Sequence, residues 1–236
     1  MNFAIKVIAA CAVVAGASGV FAQVSGPMEP HNVVQLASSG VVDVQQDWLA
    51  VTMGSTKDGA DPASVQAQVR QALETALTEA KKTEQPGAME VHTGAFNLQP
   101  RYGRDGKITG WVGSAELVLE GRDFVRIGAA AGKIQTLVVS GTAFSLSREA
   151  RSRFEGQAQE MAIDRFKVKA NDIARSFGFG GYTLRQVSVS ANDQNVGPRP
   201  RFMAAEMKTL ASDAAVPLEA GKTSVVVNVS GSVQLK

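Results

Sequence analysis

The chain has 236 residues, with 24 lysines and arginines against 22 aspartates and glutamates, so its formal net charge at neutral pH is +2. A balance this close to neutral lacks the positive footprint that nucleic acid or an anionic membrane surface attracts, and we expect neither as a partner. A chain of this length can bury its own core without disulfide or metal staples.

The first 22 residues have the pattern of a secretory signal peptide. Lys6 precedes an apolar run from Val7 to about Gly19, and Val20-Phe21-Ala22 places small or aliphatic residues at the two positions that a signal peptidase reads. We therefore predict cleavage after Ala22 and a periplasmic product.

Cleavage would leave 214 residues and a net charge of +1, and it would remove Cys11, the only cysteine. In the alternative reading, Ile8-Ala9-Ala10-Cys11 is a lipoprotein cleavage box, but no apolar region precedes that cysteine. No later segment approaches the roughly 20 apolar residues that a membrane span needs.

The mature chain opens with two strand-like runs around Val41–Gln46 and continues with a helix. Asp61 is predicted to cap this helix, Pro62 suits its first position, and Pro86-Gly87 ends it. Apolar residues at steps of three and four predict one buried helix face: Val65, Val69, Ala72, Leu73, Ala76, Leu77 and Ala80.

A β-hairpin is predicted next, turning at Asp105-Gly106, where the glycine supplies a positive φ angle. The second arm should bury one face that includes Trp111, Ala115, Leu117 and Leu119. A short helix from Arg122 to Ile134 and a strand within residues 136–147 complete this part.

The glycine-rich stretch at 178–181 follows a long helix that Ser147 is expected to cap and that ends at about Phe177. Phosphate-binding loops need glycines before a helix, because the free N–H groups and the positive dipole end lie there. Here the helix comes first, so Gly178 is predicted to be a left-handed C-cap. The predicted buried face of this helix is Phe154, Ala158, Ala162, Phe166, Ala170, Ile173, Ala174 and Phe177.

The last strand alternates apolar and polar residues almost without error, with Val225, Val227, Val229, Val233 and Leu235 on one face. A strand that is apolar on one side belongs to a sheet covered on one face only. The sequence therefore predicts an α+β fold, a largely antiparallel or mixed sheet with two long helices on one face. The order strand–helix–strand occurs around residues 41–101 and 136–190, which leaves open a duplication of similar halves.

Several segments, taken in order, resemble the SIMPL-domain family, which includes periplasmic immunogenic and stress-associated proteins. The long helix, AQEMAIDRFKVKANDIARSFGF, carries the main likeness. The other segments are Gly40 with Val42 and Asp47, Leu98–Tyr102, Gly110-Trp111 with Leu117 and Leu119, Asp123-Phe124, Gly141, Phe144–Leu146 and Pro217–Gly221. The likeness covers residues 33–235, with Phe166 and Trp111 as departures. It implies one periplasmic α+β domain that self-associates in some members, with no catalytic residues to carry over.

The titratable residues do not suggest an enzyme. His31 lies near the mature N-terminus and His92 lies alone in a strand pattern, and the two make no recognisable zinc spacing. Gly113-Ser114-Ala115 lies inside a strand, where a nucleophile elbow cannot form. We expect no catalytic residues, no cofactor and no metal.

Residues 191–222 form an insertion before the last strand, and Phe202, Met203 and Met207 give it a weak apolar stripe. Methionine suits adaptable contact surfaces, whereas two thioethers alone make a poor copper(I) site. The polar face of the last strand, with Ser230 and Ser232, carries no charge that would prevent strand pairing.

These features predict a homo-oligomer that uses Phe202, Met203, Met207, Ser230 and Ser232 as contact residues. The leading function is a non-catalytic, self-assembling periplasmic protein of envelope or oxidative-stress physiology, with an unidentified envelope partner. The alternative is a binding module for a small molecule or envelope component, in a cleft between the sheet and the insertion.

Overall fold

A computed structural model describes residues 31–191 and 219–236 of the protein. In chain order the described elements are β1 (Val33–Gln45), β2 (Trp48–Gly59), α1 (Pro62–Lys81), β3 (Met89–Tyr102), β4 (Ile108–Gly121), α2 (Phe124–Lys133), β5 (Val138–Ser145), α3 (Arg148–Ser176), β6 (Tyr182–Ala191) and β7 (Lys222–Leu235). The signal segment, Cys11 and most of the 191–222 insertion, including Phe202, Met203 and Met207, lie outside the described residues.

The strands form two antiparallel sheets, which confirms the predicted α+β class. The three-stranded sheet has the order β1-β7-β6 and is covered by α3, while the four-stranded sheet has the order β3-β4-β2-β5 and is covered by α1 and α2. The sequence pattern suggested a single sheet with both long helices on one face. Two sheets form instead, because each long helix has one apolar stripe and covers the apolar face of its own sheet.

The two sheets contain equivalent units, one nested inside the other. In both β2–α1–β3–β4 and β1–α3–β6–β7, the last strand is central and pairs with the first strand on one side and with the second strand on the other. The expected second half, residues 136–190, differs from this arrangement because β5 pairs with β2 in the four-stranded sheet. The first strand of the second unit is β1, so residues 48–145 are inserted between β1 and α3.

Each sheet has its own core. Under α1 and α2, Met53, Leu117 and Leu119 are fully buried, as the predicted hairpin face requires. Under α3, Ala162 and Phe166 pack against the valines of β7.

The backbone of α3 comes very close to β1 at Gly40. A Cβ added there would lie 1.9 Å from the carbonyl oxygen of Ala158 and 2.9 Å from the nitrogen of Ala162. Glycine at this position of β1 and alanine on the facing side of α3 therefore set the spacing between helix and sheet.

The predicted start of α1, the hairpin turn and the C-cap of α3 are present, whereas α1 ends at Lys81, before Pro86-Gly87. Asp61 accepts a hydrogen bond from Ser64 N at 2.8 Å, and Gly106 has φ +74° in the hairpin turn. At the end of α3, Gly178 has φ +80°, its N–H bonds to Arg175 O, and the Phe179 N–H bonds to Ala174 O. These two bonds form the Schellman motif, so the predicted C-cap is confirmed.

One expectation about the last unit is wrong. Phe177 is 70% exposed, because α3 ends one residue earlier and the cap turns this side chain out of the buried face. The sequence left open whether another strand of the chain or another copy covers the edges of the last strand, β7. Strands of the chain itself cover both edges, because β7 is the central strand, paired with β1 on one side and β6 on the other.

Candidate interaction surface

The three-stranded sheet turns one face away from α3, and the described residues place no helix or strand on that face. We call this surface the outer face and define it by its central residues: Gln35 and Ala37 of β1, Gln186 and Ser188 of β6, and Ser230 and Ser232 of β7. Strand alternation puts the two serines on this face, because Val229 and Val233, which flank them, point into the core under α3.

The outer face is polar but uncharged at its centre. Ser230 lies between Ala37 and Ser188 in the register of the sheet, and Ser232 lies between Gln35 and Gln186. Together these residues line a shallow depression of about 450 Å³. Hydroxyl and amide side chains line it together with apolar groups, so it can offer hydrogen bonds without a preference for ligand charge.

Two of the five predicted contact residues, Ser230 and Ser232, are thus brought together on one surface. The other three, Phe202, Met203 and Met207, lie outside the described residues. Nothing in the described structure relates those three side chains to the outer face.

The two outer strands of this sheet differ in how their free edges are covered. At β1, Arg165 Nη1 donates to Ser39 O at 2.7 Å and Lys169 Nζ donates to Ala37 O at 3.1 Å. Both cations come from α3 and occupy carbonyl groups that another strand would need. At β6 the described residues supply no comparable group, and β6 is paired only with β7.

A second polar group joins the two sheets where β1 passes into β2. Asp47 accepts hydrogen bonds from Ser147 N and from the Ser147 hydroxyl, both at 2.7 Å, and its carboxylate lies 3.8 Å from Arg122 Nε. Arg122 also donates to the Ser147 hydroxyl and to Glu149. Because Ser147 caps α3, this cluster fixes the start of that helix against both sheets.

The environment of Asp47 changes its acidity. Burial raises the pKa of Asp47, but the two hydrogen bonds from Ser147 and the charge of Arg122 together outweigh it. The net result is a pKa below the ordinary value of 3.8, so the carboxylate is ionised at neutral pH. Asp43, close to Asp47 in the sequence, is a residue of β1, and its carboxylate accepts a hydrogen bond from Ser224.

The two histidines lie on the surface. His92 is in β3, with Nδ1 3.9 Å from Glu120 Oε1, and Glu120 also accepts a hydrogen bond from Trp48 Nε1 at 3.3 Å. His31 precedes β1, and its carbonyl oxygen accepts from Gln234 Nε2. Within residues 31–191 and 219–236, no three histidine, cysteine, aspartate or glutamate side chains form a group that could hold a metal ion.

Sequence reasoning missed two features, the Asp47 cluster and the open edge of β6. The sequence signal for the Asp47 cluster was weak, because Asp47 was noted only as a match to the family pattern. The open edge of β6 depends on the order of strands in the sheet, which the alternation of residues within one strand does not encode.

The fold and the bare, uncharged sheet face define an α+β protein built of two helix-covered sheets. The chain belongs to the SIMPL family: the family model, described as a protein of unknown function (DUF541), matches residues 34–233. The family recognised from the sequence is therefore confirmed, and its description names no function and no catalytic activity.

No curated protein matches the sequence. Among solved structures, that of AtUAH in complex with glyoxylate is 12% identical and covers 56% of this chain and 34% of its own, with a TM-score of 0.26. The structure of AtUAH in complex with (S)-hydroxyglycine is also 12% identical, with coverages of 53% and 33% and a TM-score of 0.25. The chain thus spans about a third of these structures, and the likeness supports no argument about fold or function.

None of the helices in the described part of the chain is both long enough and apolar enough to cross a membrane.

Proposed function

We propose that this protein is a non-catalytic, self-assembling component of the periplasm that acts in envelope or oxidative-stress physiology. The observation that carries the proposal is the uncharged outer face around Ser230 and Ser232. Solvent-exposed sheet surfaces usually carry lysine or glutamate, which discourage association. An uncharged, hydrogen-bonding sheet face is suited to contact with a second protein surface.

Export rests on the signal-peptide pattern that ends at Ala22. The role in the envelope or in oxidative stress rests on the family resemblance.

Light scattering on the mature protein tests the assembly. We expect a mass above that of one chain at micromolar concentration, and we expect the double variant Ser230→Lys/Ser232→Lys to reduce it. Ser230 is exposed and Ser232 is half-buried on the face away from the core, so the variant should keep the circular dichroism spectrum of the wild type. A wild-type protein that stays monomeric from micromolar to high concentration would refute self-assembly.

A second function is a binding module for a small molecule or envelope component, and the depression on the outer face favours it. Its amide and hydroxyl lining suits an uncharged, hydroxyl-rich ligand such as a sugar. Calorimetric titration of the mature protein with short glycans tests this alternative. Saturable binding that Ser230→Lys abolishes would support it, and an absence of heat at millimolar glycan would exclude it.

A further inference from the structure

The free edge of β6 differs from the other sheet edges in the described part of the chain. At β1 the edge carbonyls are occupied by Arg165 and Lys169. At β3 the sequence includes Pro100 and Arg101, and both residue types hinder pairing with another strand. The edge of β5 is uncharged, but a bulge at Ser140 interrupts it.

By contrast, β6 offers a regular, uncharged run. Its register with β7 shifts between Leu184 and Gln186, which leaves Arg185, the only charged residue of β6, at the irregularity. From Gln186 to Ala191 the pairing with β7 is unbroken, and the sequence QVSVSA contains no charge, proline or glycine. Six-residue segments of this kind pair readily with another strand when they lie at an edge.

The side of β6 that faces the helix layer is also incompletely covered. Leu184, Val187 and Val189 point to the same side as the buried valines of β7, yet they are 55%, 49% and 44% exposed. The side chains of α3 that form this core pack mainly against β1 and β7, and from β6 only Tyr182, at the start of the strand, joins them. A strand added beside β6 would shield these apolar groups from water.

From this edge we infer that β6 pairs antiparallel with β6 of a second copy across a two-fold axis at Ser188. This inference rests on the proposed self-assembly and adds an edge-to-edge contact to the one proposed for the outer face. In that register Val187 lies opposite Val189 of the other copy on one side of the joined sheet. Gln186 lies opposite Ser190 on the other side, and Ser188 faces its own counterpart.

The register is self-complementary, as a two-fold contact requires. In this register apolar residues lie opposite apolar ones, and polar residues lie opposite polar ones. A shift by one residue would lose this match, because successive residues of a strand point to opposite faces. Residues 186–191 contain no charged side chain, so their pairing brings no like charges together. The two three-stranded sheets would become one six-stranded sheet, with main-chain hydrogen bonds across the junction.

A disulfide test can locate the two-fold axis. Because the chain after Ala22 contains no cysteine, any disulfide must form between introduced cysteines. Residues directly opposite in an antiparallel pair have Cα atoms about 4.5–5.5 Å apart, which a disulfide can span. We expect mature Ser188→Cys to form a disulfide-linked dimer under mild oxidation. The matched control is Ser190→Cys, on the same face of the same strand. Its two copies would lie four residues apart, about 13 Å, so this variant should remain unlinked.

A charge test uses the same position. Ser188→Lys places two ammonium groups across the axis and should weaken association at least about tenfold. Mixing Ser188→Lys with Ser188→Glu should restore association as a mixed dimer. Only a contact in which Ser188 faces itself gives this rescue.

Four outcomes would overturn the inference. A wild type that is oligomeric and is unaffected by Ser188→Lys would refute β6 pairing alone and leave self-assembly intact. Equal cross-linking of Ser188→Cys and Ser190→Cys would refute the register. A wild type that is monomeric at all concentrations would refute self-assembly and β6 pairing together, and dimerisation only after deletion of residues 192–218 would show that this segment occupies the edge.

Discussion

The close approach of α3 to β1 can be tested by a single methyl group, in the variant Gly40→Ala. The added Cβ would lie 1.9 Å from Ala158 O, whereas ordinary van der Waals contact begins at 3.4 Å. Helix and strand would therefore have to separate by roughly 1.5 Å, and the atom in the way belongs to the helix backbone, so no side chain can move aside.

Overpacking usually costs 1–3 kcal/mol, and we expect Gly40→Ala to lower the free energy of unfolding by about 3 kcal/mol, at the upper end of that range. For a chain of this size that corresponds to a fall in melting temperature of about 6–12 °C. Urea unfolding followed by circular dichroism measures the free energy, and a thermal scan measures the melting temperature.

The matched control is Gly54→Ala, which also changes a strand glycine, in β2. The nearest atom to its added Cβ is Ser140 Oγ at 3.6 Å, an ordinary contact, so this variant should be neutral or slightly stabilising. The free energies of unfolding of Gly40→Ala and Gly54→Ala can be compared directly. If they differ by less than about 1 kcal/mol, which is below the usual cost of overpacking, α3 does not limit the space at β1.

The remaining predictions concern a helix end, a carboxylate and the leader. Gly178→Val should lower the free energy of unfolding by about 1–2 kcal/mol, because a β-branched residue is strained at positive φ; denaturant titration should show no such loss for Gly156→Ala, in an open part of α3. Asp47→Asn should lower the free energy of unfolding by about 1–2 kcal/mol at pH 7, after allowance for solvent screening. Because the folded-state pKa of Asp47 is lowered, its contribution is present above about pH 4 and is lost as the pH falls through the folded pKa, so wild type and variant should converge in acid unfolding. N-terminal sequencing of the exported protein should begin at Gln23; a start at Met1, or lipid on Cys11, would contradict this.

The helix caps of this fold could be predicted from the sequence, whereas the pairing of its strands could not. Asp61, Ser147 and Gly178 were placed correctly because a cap is decided by residues within one helical turn. The pairing of β1 with β7 joins residues from opposite ends of the chain, and no local pattern states it.

The candidate surface shows the same limit. Alternation in β7 predicted that Ser230 and Ser232 share a polar face, and they do. It could not show that β7 is the central strand and β6 an edge strand, because the residue pattern of either strand is compatible with an edge position. The role of Asp47 was equally invisible, since its partners Arg122 and Ser147 are distant in sequence and meet only when both sheets have formed.

The nesting of one unit inside the other has a consequence for the order of folding. Residues 48–145 carry all four strands of their sheet in one continuous stretch, so this unit can form while the rest of the chain is still being delivered. By contrast β1 is synthesised before this unit and its partner β7 after it, and the hydrogen bond from Gln234 to His31 closes a separation of 203 residues. Closing so long a loop is slow. Pulsed hydrogen exchange during refolding should therefore protect β2 and β4 before β1, and equal protection times would contradict this order. Until β7 arrives, β1 is an unpaired strand that a chaperone or another nascent copy can bind.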